Sequence, residues 1–219
     1  MVLASALRAV DQDDDAELEL DAARAEFDRL GAVLDAAAAA QAIEAAAGTD
    51  GAPVKSTRTF LFTDIVGSTN LAEAMGDEAW EQLLRWHDDT LRSLFVRHGG
   101  EVVNHTGDGF FAAFDSSRRA IECAVAVQRA LAEHRRTHGF APAVRIGIHA
   151  SEANRRGDDY SGKGVHVAAR IAALAGGGEI LASDATAEQA SQWCTTSEPR
   201  TVTLKGVTGG VEVVSVSWN

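Results

Sequence analysis

From Thr57 onward the chain alternates short β-forming runs with longer helical patterns, and this alternation limits the folds open to it more than any other feature. "RTFLFTDIV" (58–66) reads as a strand, and residues 68–98 read as two helical pieces broken at Met75-Gly76-Asp77. "EVVNHT" (101–106) and "FFAAF" (110–114) flank Gly107-Asp108-Gly109. That pattern predicts a tight hairpin, because glycine accepts the positive φ such a turn requires. Residues 116–137 form an amphipathic helical pattern whose apolar face carries Ala120, Cys123, Ala124, Val127 and Leu131. "AVRIGIHA" (143–150) is a further strand, residues 163–175 a helix stopped by "GGG", and "EILAS" (179–183) another strand. "TVTLKG" and "VEVVSVSW" close the chain as a final pair. The order β-α-α-β-β-α-β predicts an α+β domain: a ferredoxin-like core, with helices on one side of a mixed sheet and a C-terminal strand extension.

Residues 1–52 differ in character. Leu20, Ala23, Phe27, Leu30 and Leu34 repeat at spacings of three and four, which predicts a short helical segment with one apolar seam. "GTDGAP" (48–53) is a linker by composition, so the expected division is 1–52 for the acidic, Ala-rich segment and 53–219 for the main domain. Twelve Asp and Glu stand against three Lys and Arg in residues 1–52, so −9 of the net −12 lies there and the rest of the chain carries only −3. A nearly neutral main domain offers no basic surface for nucleic acid. No apolar run reaches the length of a membrane span, and residues 1–20 are acidic rather than signal-like, so the expectation is a soluble, cytoplasmic protein. Cys123 and Cys194 lack metal-type spacing, and Cys123 falls on a helix's apolar face as a buried thiol.

Two aspartates carry the chemical signal. Asp64 ends an apolar strand, where an unpaired carboxylate is costly. It is either an N-cap for the following helix or a ligand, and Ser68 and Thr69 are the more natural caps. Gly67 and the amides after it, at a helix start, make a phosphate site. Asp108 is either a turn residue or a second ligand. In the predicted sheet the first strand neighbours the hairpin, so the two carboxylates can face each other, and they repel unless a cation lies between them. Mg²⁺ or Mn²⁺, which take one or two carboxylates plus phosphate oxygens, suit that position.

"FLFTDIVGST", "TGDGFFAAF", "VRIGIHA", "DDYSGKGVHVAARI" and "VTLKGV" follow one another in this order. Together they resemble the catalytic domain of the class III nucleotidyl cyclases, the adenylate/guanylate cyclase family, over about residues 57–218. The resemblance implies a homodimer with active sites at its interface and two divalent cations, Mg²⁺ or Mn²⁺, per site. It implies that Asp64, Asp108 and the carbonyl of Ile65 hold the metals, and that Gly67, Ser68 and Thr69 cradle the terminal phosphates with Arg145 nearby. From the other subunit it implies Asp159 as the base-reading aspartate, Arg170 as the transition-state arginine and Lys205 as a phosphate lysine. For Lys205, a simple place before a turn glycine is the competing reading. The implied reaction is ATP to 3′,5′-cyclic AMP and pyrophosphate.

Two positions depart from the family pattern. Asn104 stands where adenylate-specific members carry a lysine and guanylate-specific members a glutamate. Its amide donates as the lysine does, but it is shorter and uncharged, and a water fills the gap. The Asn104/Asp159 pair thus implies ATP with relaxed discrimination against GTP, unless Asn104 points away from the base. His166 stands where the family has an asparagine that orients the ribose; imidazole also donates, but is bulkier and titratable. His105 and His149 read as structural. These departures leave a second function open, a weak or inactive cyclase serving as a nucleotide-binding, dimerising regulatory module. The presence of Asp64, Asp108, Asp159, Arg170 and Lys205 together favours the active enzyme. The Leu20–Leu34 seam is expected to pack at or near the dimer interface.

Overall fold

The sheet is built around one strand that is apolar on both sides. In the computed structural model, which describes residues 54–156, 159–207 and 209–219, β1 (Val54–Ile65) holds Phe60 and Leu61 fully buried side by side. Neighbouring residues of a strand point to opposite faces, so both faces here must be covered. A run of β-formers without polar alternation is the sequence form of that requirement.

Two helices follow, α1 (Ser68–Met75) and α2 (Asp77–Arg97), separated by Gly76 at a φ of 77°. The hairpin comes next as β2 (Gly100–His105) and β3 (Gly109–Phe114), then α3 (Ser117–His138). The long strand β4 (Val144–Arg156) turns back into β5 (Asp159–Ser161), and α4 (Lys163–Leu174) follows. The chain ends with β6 (Ile180–Ser183), the short helix α5 (Asp184–Glu188), β7 (Arg200–Thr203) and β8 (Gly210–Ser215). The strands lie in the order β2-β3-β1-β4-β6-β8-β7, with β5 paired to β4 alone. Its first four strands, β2-β3-β1-β4, are the expected ferredoxin-like core, and the rest is the C-terminal extension.

The helices do not all lie on one side, as the sequence had led us to expect. Leu91, Leu94 and Phe95 of α2, with Ala120, Cys123, Ala124, Val127 and Leu131 of α3, pack with Leu61, Phe110, Ala112, Ile146 and Ile180. Val165 and Ala168 of α4 instead join Phe60, Phe111 and Tyr160, while Val167 and Ile171 join Leu181 and Val213. Phe60 and Leu61, or Ile180 and Leu181, are strand neighbours with opposite faces, so α4 covers the face that α2 and α3 leave. Its close seat depends on Gly147, where a Cβ would overlap the backbone of Ala172. The strand predicted for 143–150 also runs on to Arg156, because β5 gives its second half a partner. Burial pushes the Cys123 thiol up to about 12, consistent with a packing role. The predicted seam at Leu20–Leu34 and the boundary at residue 52 lie outside the described residues.

His87 of α2 is fully buried, and its Nδ1 lies 3.1 Å from Asp88 Oδ1. Burial is the larger influence and holds His87 below its usual 6.5, against the opposing pull of Asp88. The folded state therefore prefers the neutral imidazole. That contribution to stability is complete above pH 6.5 and is lost as pH falls through the depressed folded value. Urea midpoints should fall between pH 7.5 and 5, with a slope of up to ~1.4 kcal/mol per pH unit from this group. The His87→Leu variant should lose less over the same range; equal losses in both proteins would assign the acid sensitivity elsewhere.

Candidate active site

The register of β1 against β3 brings the two aspartates together. Thr63 pairs with Phe110 and Asp64 with Gly109, so Asp64 lies across from the hairpin tip that carries Asp108. The Thr63 hydroxyl accepts from the Phe110 N–H at 3.1 Å and fixes that register from the side chain. The turn is closed by Asp108 N–H to Thr106 O at 2.8 Å and Thr106 N–H to Gly109 O at 3.0 Å. Gly107 supplies the positive φ, 70°. Gly109 serves differently from the turn glycine the sequence implied: its φ is not positive, and a Cβ there would lie 2.5 Å from Thr63 O. It is glycine because two backbones approach closely.

At the end of β1 the chain turns through Gly67, at a φ of 69°, directly into α1. The N-cap is Gly67, and no side chain caps this helix; Ser68 and Thr69 lie inside its first turn. The expected hydroxyl cap is thus absent, and the first amides of α1 remain available to an anion. Ser68, Thr69 and Asp108 line a cleft of about 400 Å³ together with Trp80 and Leu84. The sequence marked Trp80 and Leu84 only as helix residues; nothing but the fold of α2 against α1 puts them here.

Arg145 of β4 donates from Nε to Asp64 Oδ2 at 2.7 Å, and its Nη2 donates to the same oxygen. Its Nη1 donates to Ala173 O at 3.2 Å. The guanidinium thus offsets the charge of Asp64 at the end of β1. Among the described residues, Asp64 Oδ1 and the Asp108 carboxylate accept no hydrogen bond, so both keep lone pairs for a cation. No group of three or more His, Cys, Asp or Glu that could hold a metal is found among the described residues. A hard divalent cation that takes two carboxylates and completes its shell with phosphate oxygens fits this donor set.

Behind the hairpin, His105 Nε2 lies 3.1 Å from Asp88 Oδ2, off the hydrogen-bonding line, and its ring packs 4.3 Å from that of Phe110. Asp88 therefore sits between His87 and His105 and ties α2 to the strand that carries Asn104. Asn104 is exposed, beside a register shift in β2. Its Oδ1 accepts the N–H of His105 at 2.7 Å.

The remaining predicted residues lie on other elements. Asp159 begins β5 and accepts the N–H of Tyr160 at 2.8 Å. His166 and Arg170 are exposed one turn apart on α4, and Lys205 is exposed in the turn after β7. Among the described residues, no hydrogen bond or ion pair joins these four to the Asp64–Asp108 end. His149 Nδ1 lies 2.8 Å from Ser183 Oγ.

A ferredoxin-like sheet with two carboxylates and uncapped helix amides at one end has the layout of a nucleotidyl cyclase domain. The chain belongs to the adenylate and guanylate cyclase catalytic domain family, which it matches over residues 52–216. It is 36% identical over 126 residues to a putative adenylate cyclase 3 of Rhizobium meliloti, covering 57% of this chain and 22% of that protein. It is 30% identical over 154 residues to an adenylate cyclase of Streptomyces coelicolor, covering 70% of this chain and 39% of the relative. The chain thus spans less than half the length of either. Its fold is similar to that of the guanylyl cyclase Cya2, with a TM-score of 0.69, 26% identity, and coverage of 75% of this chain and 93% of that one. It is also similar to the adenylyl cyclase CyaB from P. aeruginosa, with a TM-score of 0.67, 22% identity, and coverage of 75% and 95%. Class III cyclases generally use divalent cations. No helix among the described residues is long and apolar enough to cross a membrane.

Proposed function

We propose that this domain is an adenylate cyclase whose active site is completed by a second copy of the chain. The observation that carries the reading is the β1–β3 register, which sets Asp64 opposite the Asp108 turn beside uncapped amides of α1. Asp64, Asp108 and the Ile65 carbonyl would hold two divalent cations, Mg²⁺ or Mn²⁺, which would make the ribose 3′-hydroxyl more acidic and neutralise the leaving pyrophosphate. Gly67, Ser68 and Thr69 present amides to the terminal phosphates, and Arg145, paired with Asp64, is the nearby cation of the proposed site. From the second copy, Arg170 meets charge developing on the phosphoryl oxygens. His166 orients the ribose, and Lys205 pairs with phosphate. The 3′-oxygen loses its proton to solvent and bonds the α-phosphorus, and the bond from that phosphorus to the bridging oxygen breaks to release pyrophosphate.

Asn104 supports adenine. A backbone N–H can only donate, so the contact with His105 fixes which end of the amide is oxygen. The oxygen is thereby engaged, and the NH₂ is left as a donor. A donor suits the unprotonated ring nitrogen N1 of adenine and opposes the N1–H of guanine. Asp159 accepts from the 6-amino group of adenine and would face the 6-oxo group of guanine. Asn104 is still shorter than the lysine of adenylate-specific members, so discrimination against GTP is expected to be incomplete.

The test is product formation by the purified chain with Mn²⁺, given ATP and GTP in parallel. Cyclic AMP should exceed cyclic GMP, and Asp108→Ala should lower the rate by about 10³ or more. Equal rates with both nucleotides would remove the role given to Asn104. No cyclic product from folded, dimeric protein would leave the nucleotide-binding regulatory module as the reading.

A further inference from the structure

Asn104 and Asp159, which read the base in the proposed reaction, stand on strands that do not pair with each other. In the order of the sheet, β3, β1 and β4 lie between β2 and β5. The second half of β4 nevertheless brings β5 back over the sheet. Tyr160 of β5 is buried there and meets Phe60 of β1 edge-on, with ring centres 5.6 Å apart. Phe60 in turn packs on Phe111 of β3 at 5.7 Å.

A bulge sets the face that Asn104 uses. Glu101 pairs with Ala113, and Asn104 pairs with Phe111. Cross-strand partners point to the same side of a sheet, and Ala113 and Phe111 both belong to the cluster that Phe60 and Tyr160 complete. On a regular strand, residues three apart would face opposite ways. The register shift between Val102 and Asn104 removes that difference, so Glu101 and Asn104 share the face on which β5 rests.

On that face Glu101 reaches both β4 and β5. Its Oε1 accepts from Arg155 Nη2 at 2.8 Å, and its Oε2 accepts from the Tyr160 hydroxyl at 3.2 Å. Burial raises the Tyr160 phenol above its usual 10, so it remains the protonated donor at neutral pH. The Arg155 guanidinium also lies 5.3 Å from the centre of the Tyr160 ring. The backbone N–H of Tyr160 donates to Asp159 Oδ1 at 2.8 Å, so the residue anchored to Glu101 also orients the aspartate. Asn104 is held in the same manner by the N–H of His105, at 2.7 Å. Each base-reading group is thereby fixed to its own backbone, and Glu101 ties one backbone to the other.

We propose that Glu101, acting through Tyr160 and Arg155, is a positioning residue for base selectivity that sets the separation of Asn104 from Asp159 so that both reach one adenine. Glu101 itself does not touch the base. The inference rests on the adenylate cyclase reading and deepens it.

The experiment is kcat/KM for ATP and for GTP, with Mn²⁺, on the full-length protein and its Glu101→Gln, Tyr160→Phe and doubly substituted forms. Tyr160→Phe keeps the buried ring and removes only the hydroxyl. Each single variant should lose about fivefold in kcat/KM with ATP, mostly through KM, as for one weakened hydrogen bond to the base. With GTP the loss should be smaller, because neither Asn104 nor Asp159 matches the edge of guanine. The ATP-to-GTP ratio therefore falls. The double variant should lose little more than either single one, since both changes release the same tie. Thermal midpoints check that the variants are folded. A ratio unchanged in both single variants, whether their rates fall equally with the two nucleotides or not at all, would make the contact structural support only and overturn the assignment. A wild-type protein that forms no cyclic product would instead remove the cyclase reading, and this inference with it.

Discussion

Asp108→Ala and Arg170→Ala proteins, each inactive alone, are expected to regain about a quarter of wild-type cyclase activity when mixed in equal amounts. The expectation follows from how the structure divides the candidate residues. Asp64 and Asp108 meet at the end of β1, whereas Arg170 and His166 stand exposed on α4 and, among the described residues, neither side chain makes a hydrogen bond or ion pair to that end. If a second copy supplies Arg170, every site draws its carboxylates from one chain and its arginine from the other. Random exchange then makes half of the dimers mixed. In each mixed dimer one site carries both defects and the other carries neither. Activity that stays at background while the chains exchange partners would place both sets of residues in one subunit's site, and the two-chain arrangement would fail. A complementing mixture would also exclude a purely regulatory module, because a restored rate requires a working site.

The strands and long helices were legible because their signals are local. Continuous apolar runs announced the strands, though not that helices cover both faces of the sheet, and the face of α3 was readable from five positions, all of which are buried. Interactions that depend on distant partners were hidden. The sequence near Ser68 offers two hydroxyl caps, yet the backbone turns at Gly67 one residue earlier and uses neither. The strand β5 is three residues long and has no pattern of its own; it exists because β4 runs far enough to pair with it. The position of α4 across the sheet depends on Gly147 meeting Ala172, a contact between segments 25 residues apart. The site divides in the same way. Asp64 and Asp108 could be paired from strand order alone, but the Arg145–Asp64 ion pair, the Trp80 and Leu84 wall of the cleft and the Asp88 bridge required the folded chain.

Gly109→Ala should lower cyclase activity by about 10² or more while leaving a folded protein. A Cβ at this position would lie 2.5 Å from Thr63 O, and the obstacle is backbone rather than a side chain that could swing away. The strain must be relieved by parting β1 from β3 at their last pair, where Asp64 faces Gly109. Earlier pairs of the ladder, from Thr59 with Phe114 onward, are remote from the added methyl and hold the sheet together. The displacement is therefore concentrated between the two carboxylates, where a shift of about 1 Å is costly to a reaction that depends on position. Gly107→Ala is the informative comparison. It strains a residue at a φ of 70° but meets nothing within 4 Å, so it should cost about 1 kcal/mol of stability and less activity. Thermal midpoints and Mn²⁺-dependent rates measured on both variants separate the two effects. If Gly109→Ala keeps wild-type rates, the spacing of Asp64 and Asp108 across the β1–β3 pair does not control the chemistry, and the carboxylate site loses its main geometric support.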